Sequence, residues 1–253
     1  MSTEPEIGLV LSGGGARGFA HLGVLQALDE LGIRIAAISG TSAGAICGAF
    51  YFAGHRPQDT LRYIRSYKIY EWARILWRKP GILNMQKISE MFAKYLPDTF
   101  EGLDRPLTVC ATDILKGCPE YFSSGPLTPA ICASAAIPLV FEPVSMNGSS
   151  YVDGGILDNF PLGQLQKKFK TIIGVHVNPI NHHLDHVHFH EVMDRSMHLA
   201  LSPAVTDKKD QCSVFIEPKG CENFGMFDLS GGEKIFAIGY EAAMSVKKEL
   251  LKL

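Results

Sequence analysis

A short apolar run, Ile7 to Leu11, ends abruptly in Ser12-Gly13-Gly14-Gly15. An uninterrupted apolar run of this length reads as a strand buried on both faces. From Ala16 to Leu31, the positions Phe19, Leu22, Val24, Leu25 and Leu28 fit one helical face, and Gly32 marks the stop. Ile33 to Ile38 reads as a second strand, followed by the turn Gly40-Thr41-Ser42-Ala43-Gly44. Ala43 to Ala53 is small and apolar throughout, which predicts a buried helix ended by Gly54. Strand, glycine turn and helix, twice in succession, predict a parallel sheet covered on both faces. Pro57 to Tyr95 reads as mostly helical, Leu107 to Thr112 as a strand, and Thr128 to Ala136 as a short helix ending at Ile137-Pro138. Gly148 within Phe141 to Tyr151 suggests a hairpin. Thr171 to Val177 and Ser213 to Glu217 read as strands, with a polar loop from Asn178 to His190. Gly232 to Leu253 reads as a closing amphipathic helix.

The chain has 253 residues and no visible linker, so a single domain over 1–253 is expected. Hydrophobic residues make up 46% of it, ample for a sizeable core. A net charge of −2 gives no reason to expect a nucleic-acid partner. The cysteines Cys47, Cys110, Cys118, Cys132, Cys212 and Cys221 are scattered without a Cys-x-x-Cys pair, which suits reduced thiols in the cytoplasm. The segment Met1-Ser2-Thr3-Glu4-Pro5-Glu6 is acidic and lacks the apolar stretch of a secretory signal. No apolar run approaches the roughly 18 residues of a membrane span, so any membrane contact is expected to be peripheral.

The chemistry concentrates at the turns. Ser42 lies where a strand gives way to a helix, a geometry that pushes a serine hydroxyl out of the sheet to attack a carbonyl. Gly40 and Gly44 give that turn its backbone freedom and leave room for substrate. Gly13-Gly14-Gly15-Ala16-Arg17-Gly18 follows a strand and opens a helix, so several N–H groups converge where the helix dipole favours negative charge. Such a loop could cradle a dinucleotide or form an oxyanion hole. A dinucleotide site places an acid at the end of the second strand. Here that strand ends Ala37-Ile38-Ser39-Gly40, which favours the oxyanion hole. Asp153-Gly154-Gly155 is a common turn sequence, but Ser42 needs a base, and an aspartate held in a dry site can serve.

Two further features are less specific. His176, His182, His183, His186, His188, His190 and His198 cluster in one stretch, which could supply a triad or a His-x-His metal site but reads best as a solvated loop. Residues 56–79 mix Arg56, Arg62, Arg65, Lys68, Arg74, Arg78 and Lys79 with Trp72, Trp77, Tyr63, Tyr67 and Tyr70. That mixture suits an anionic membrane interface, or a surface helix that packs its aromatic residues inward.

Gly13-Gly14-Gly15-Ala16-Arg17-Gly18, Gly40-Thr41-Ser42-Ala43-Gly44, Ala133-Ser134-Ala135-Ala136-Ile137-Pro138 and Asp153-Gly154-Gly155 occur in the order and context found in patatin-like phospholipases. The chain resembles that family over most of residues 7–160, in particular its short bacterial, neuropathy target esterase-like branch. The plant members carry Asp before the three glycines, where this chain has Ser12. The resemblance implies a three-layer α/β/α fold with a mostly parallel central sheet. It implies a Ser-Asp dyad without a catalytic histidine: Ser42 as nucleophile, Asp153 as base, and the N–H groups of Gly13, Gly14 and Gly15 as the oxyanion hole. Arg17, Gly18, Gly40, Gly44, Gly154 and Gly155 support these motifs. The expected activity is ester hydrolysis on phospholipids, lysophospholipids or related acyl esters, with no metal and no organic cofactor. A low-turnover lipid-binding or regulatory module that keeps the dyad is the alternative. An ordinary α/β-hydrolase would place its serine after several strands and a histidine near the C-terminus, whereas the last histidine here is His198.

Overall fold

Ile7, Leu9 and Leu11 face one side of the first strand and pack into the main core, while Val10 faces the other side and packs into a second cluster. In the computed structural model, which describes residues 6–66, 85–180, 192, 195–196, 199, 205–226 and 228–253, this strand is central to the sheet. The sheet has eight strands: β1 (Ile7–Leu11), β2 (Ile35–Thr41), β3 (Leu107–Asp113), β4 (Cys118–Phe122), β5 (Val144–Met146), β6 (Ser149–Asp153), β7 (Thr171–Val175) and β8 (Val214–Ile216). Their order is β5-β6-β3-β2-β1-β7-β8, with β4 paired to β3 off that path. The pairs β3–β2, β2–β1, β1–β7 and β7–β8 are parallel; β4 and the β5–β6 hairpin are antiparallel.

One face carries the helices α1 (Phe19–Glu30), α2 (Ala43–Phe52), α3 (Pro57–Ser66), α4 (Gln86–Tyr95) and α5 (Leu127–Ser134). The other is covered by the short α6 (Gly163–Gln166) and by Val205, packed on Val10, Ala37 and Ile172. The C-terminal stretch bends at Val246 into α7 (Gly232–Ser245) and α8 (Lys247–Leu250), where one continuous helix was expected. Helices α1 and α7 meet almost backbone to backbone. A Cβ on Gly23 would lie 2.0 Å from the Phe236 carbonyl oxygen, and one on Gly239 2.0 Å from that of Ala20.

The second strand runs three residues further than its apolar stretch, through Ser39, Gly40 and Thr41. Those residues pair with Thr108, Val109 and Cys110 of β3. Their hydroxyls are satisfied despite burial: Ser39 Oγ donates to the Pro161 carbonyl at 3.0 Å and Thr41 Oγ1 to the Asp158 carbonyl at 2.8 Å. The strand therefore delivers the chain directly into Ser42. β4, short and half-buried, carries no apolar alternation and has no counterpart among the expected strands. Residues 67–79 of the basic-aromatic segment, and the histidines His182 to His190 and His198, lie outside the described residues.

Candidate active site

Ser42 is the first residue past β2 and sits at φ 51°, ψ −119°, a conformation that L side chains rarely adopt. Three contacts hold it there. Its N–H donates to Ser134 Oγ at 2.8 Å, and Ser134 Oγ donates onward to the Cys110 carbonyl at 2.6 Å. Its carbonyl accepts from the Ile46 N–H, the first bond of α2. The close approach of Gly44 supplies the third. A Cβ there would lie 2.3 Å from the Leu11 carbonyl oxygen and 2.6 Å from that of Ser12. Only glycine lets α2 begin so near the end of β1. Serine often caps a helix with its own side chain. Here the hydroxyl does no capping, because it points elsewhere.

It points at Asp153. Ser42 Oγ donates to Asp153 Oδ2 at 2.6 Å. Asp153 ends β6, which pairs with β3 so that Asp153 stands opposite Ala111. Its N–H donates to the Ala136 carbonyl, and its Oδ1 accepts the Gly155 N–H at 2.7 Å. Burial pushes its carboxyl up to about 6, against the lowering effect of the Ser42 and Gly155 hydrogen bonds. The carboxylate is thus a stronger base than an exposed aspartate, yet is mostly ionised at neutral pH.

The glycine loop faces Ser42 from the end of β1, with Gly15 at φ 54°. Sequence reasoning assigns three N–H donors to it, and the structure separates them. The Gly13 N–H is already committed to the Asn159 carbonyl at 3.2 Å, whereas those of Gly14 and Gly15 bond to none of the described residues. The Gly13 carbonyl accepts from Ser12 Oγ at 2.9 Å and from Asn178 Nδ2 at 2.7 Å. Because C=O and N–H point opposite ways across a trans peptide, this pair turns the Gly14 N–H away from Asn178.

Arg17 is buried and its Nε donates to the Phe224 carbonyl at 2.8 Å. The Ala16 N–H donates to the Met226 carbonyl at 2.7 Å. The loop is therefore fastened to a C-terminal segment that nothing in the sequence singles out. Gly18 lies against Ala43, joining the glycine loop to the start of α2. Gly154 packs on the Cys110 carbonyl and Gly155 beside the Asp153 carboxylate.

The described histidines stand apart from the Ser42–Asp153 pair. His21 is fully buried and donates from Nε2 to the Ser12 carbonyl at 2.8 Å; burial lowers it to about 4, so it is neutral. His176 bonds through Nδ1 to Glu217 at 3.0 Å. Among the described residues, no cluster of three metal-ligating side chains occurs, and no helix is long and apolar enough to cross a membrane.

Among the described residues, two cavities open on Ser42. A small one of about 30 Å³ lies among Asp153, Asn159, Asn178, Ile137 and the three glycines. A larger one of about 140 Å³ runs between Phe19, Ile46, Met91, Phe92 and Phe141 and is almost wholly apolar. Met226 borders both. Asn159, Asn178 and Met226 escape sequence reasoning. The only prior sign of the first is its place shortly after Asp153-Gly154-Gly155.

The family model for patatin-like phospholipase matches residues 9–165. An uncharacterized NTE family protein of Mycobacterium bovis is 40% identical over 168 residues, covering 65% of this chain and 46% of that protein. Lysophospholipase nte1 of Aspergillus fumigatus is 34% identical over 170 residues, covering 63% of this chain and 11% of the fungal protein. The chain thus spans about half the length of the mycobacterial relative and about a tenth of the fungal one. Among solved structures, VipD from Legionella pneumophila shares the fold, with a TM-score of 0.55 at 16% identity over 98% of this chain and 67% of that one. With its mostly parallel sheet and the family's motifs at one end of it, the chain belongs to the patatin-like phospholipase family.

Proposed function

We propose that this chain is a serine lipid acyl hydrolase that cleaves carboxylic esters of phospholipids, lysophospholipids or related acyl esters through an acyl-enzyme on Ser42. The observation that carries this reading is the 2.6 Å contact between Ser42 Oγ and the buried Asp153 carboxylate. Asp153 takes the Ser42 proton as Oγ attacks the ester carbonyl, then passes it to the departing alcohol. Negative charge on the carbonyl oxygen is met by the open N–H groups of Gly14 and Gly15 and by the N-terminal end of α2. Water then hydrolyses the acyl-enzyme with Asp153 again as base. No histidine takes part.

The apolar cavity beside Ser42 supports a fatty acyl chain as the group transferred. The names of the fungal relatives favour lysophospholipids among the ester classes. A lipid substrate presented at a bilayer also suits peripheral contact through residues 56–79, with a cytoplasmic location.

Labelling with a fluorophosphonate, followed by intact mass and peptide mapping, tests the proposal. The expected result is one adduct on Ser42 that Asp153→Asn abolishes. A folded wild-type chain that takes no adduct would sink the enzyme reading and leave the lipid-binding one.

A further inference from the structure

We propose that Asn159 holds the water that hydrolyses the acyl-enzyme, an assignment that rests on Ser42 and Asp153 acting as described. Its main chain is pinned to the glycine loop by the Gly13 N–H. Its side chain lies between the bare faces of Gly13 and Gly155. A Cβ on Gly13 would lie 2.4 Å from Asn159 Oδ1 and 3.3 Å from the Ser42 Cβ. A Cβ on Gly155 would lie 3.1 Å from Asn159 Oδ1 and 3.0 Å from Asp153 Oδ1. The amide therefore adjoins both members of the dyad.

That amide bonds to none of the described residues. The other amide on the same cavity is spent: Asn178 donates to the Gly13 carbonyl and accepts from Arg17 at 3.4 Å. Asn159 thus brings a free side-chain valence to a space of about 30 Å³ beside Ser42 and Asp153. Such a space admits a water when polar groups surround it.

Once Ser42 is acylated, its oxygen no longer donates to Asp153. A water donating one hydrogen to Asp153 and the other to Asn159 turns a lone pair toward the acyl carbon. Its oxygen bonds to that carbon as its proton passes to Asp153. The tetrahedral intermediate then breaks its bond to Ser42 Oγ, which recovers the proton from Asp153, and the carboxylic acid leaves.

The test separates the two half-reactions in Asn159→Ala with a p-nitrophenyl acyl ester. The rate of fluorophosphonate labelling reads attack by Ser42 and is expected to match wild type. Decay of the acyl-enzyme, followed by quenching and intact mass, is expected to slow about a hundredfold, so that acyl-Ser42 accumulates. Asn159→Ser, whose hydroxyl can still contact the water, is expected to recover part of that loss. Equal slowing of both steps would reduce Asn159 to a structural support, and an unchanged decay rate would overturn the proposal. Failure of the wild type to acylate at all would instead strike the parent reading.

Discussion

Asp153 carries two consequences of its burial. With its carboxyl raised to about 6, the carboxylate proposed as base is lost as pH falls through that value. The acid limb of kcat/KM is expected near pH 6, measured on a soluble ester. A limb at the ordinary aspartate value would mean that burial does not control the base. The same shift acts on stability with the opposite sense to that of a salt-bridged aspartate. The folded chain retains a proton that the unfolded chain has released, so stability falls as pH rises from about 4 to about 6. Asp153→Asn removes that penalty. At pH 8 it is expected to be more stable than wild type by about 1–3 kcal/mol in urea unfolding, a gain that disappears near pH 4. Ser42 and Asp153, the proposed dyad, stand out in the chain because short glycine motifs mark them. Asn159 and Asn178 do not, because an asparagine in a loop carries no pattern until the fold brings Gly13 beside it.

At the scale of elements, the Ser42 turn depends on α5 as much as on its own strand. Ser134 bridges the Ser42 N–H and the Cys110 carbonyl from the end of α5. Ser134→Ala leaves the buried Ser42 N–H without its partner, at about 1–3 kcal/mol. Labelling of Ser42 is expected to slow about tenfold or more while the helices persist by circular dichroism; an unaltered rate would show that the strained turn keeps its shape unaided. Strand β1, helix α1 and the α2 turn are legible because apolar period and glycine placement agree. The end of β2 is not, because Ser39 and Thr41 look like loop residues until Pro161 and Asp158 offer them acceptors. β4 is hidden for a related reason: a half-buried edge strand needs little apolar pattern.

For the whole molecule, the two faces of the sheet are unequal. The larger core holds the apolar cavity, and its helices α1 and α7 touch through glycines. Gly239→Ala is expected to destabilise the fold by about 3 kcal/mol in denaturant unfolding, since the added methyl has no space toward Ala20. A change below the error of the measurement would mean that the helices slide apart freely. Ile46 lines the cavity near Ser42, and Ile46→Trp should fill part of it. Turnover of short acyl esters is then expected to persist while that of long ones drops about fourfold for each methylene excluded. A chain-length profile that does not move would place the acyl group elsewhere. The matched family region stops at residue 165, yet Phe224 and Met226 grip the glycine loop from beyond it.

That grip has a meaning for how the protein comes into being. Asp153 leaves the ribosome after Ser42, and the Ala16–Arg17 side of the loop beside them is fastened only after residues 224 and 226 have emerged and folded back. A nascent chain would therefore carry Ser42 and Asp153 without the completed loop until residues 224 and 226 follow. The order of translation itself delays completion of the loop beside Ser42 until the chain has passed residue 226.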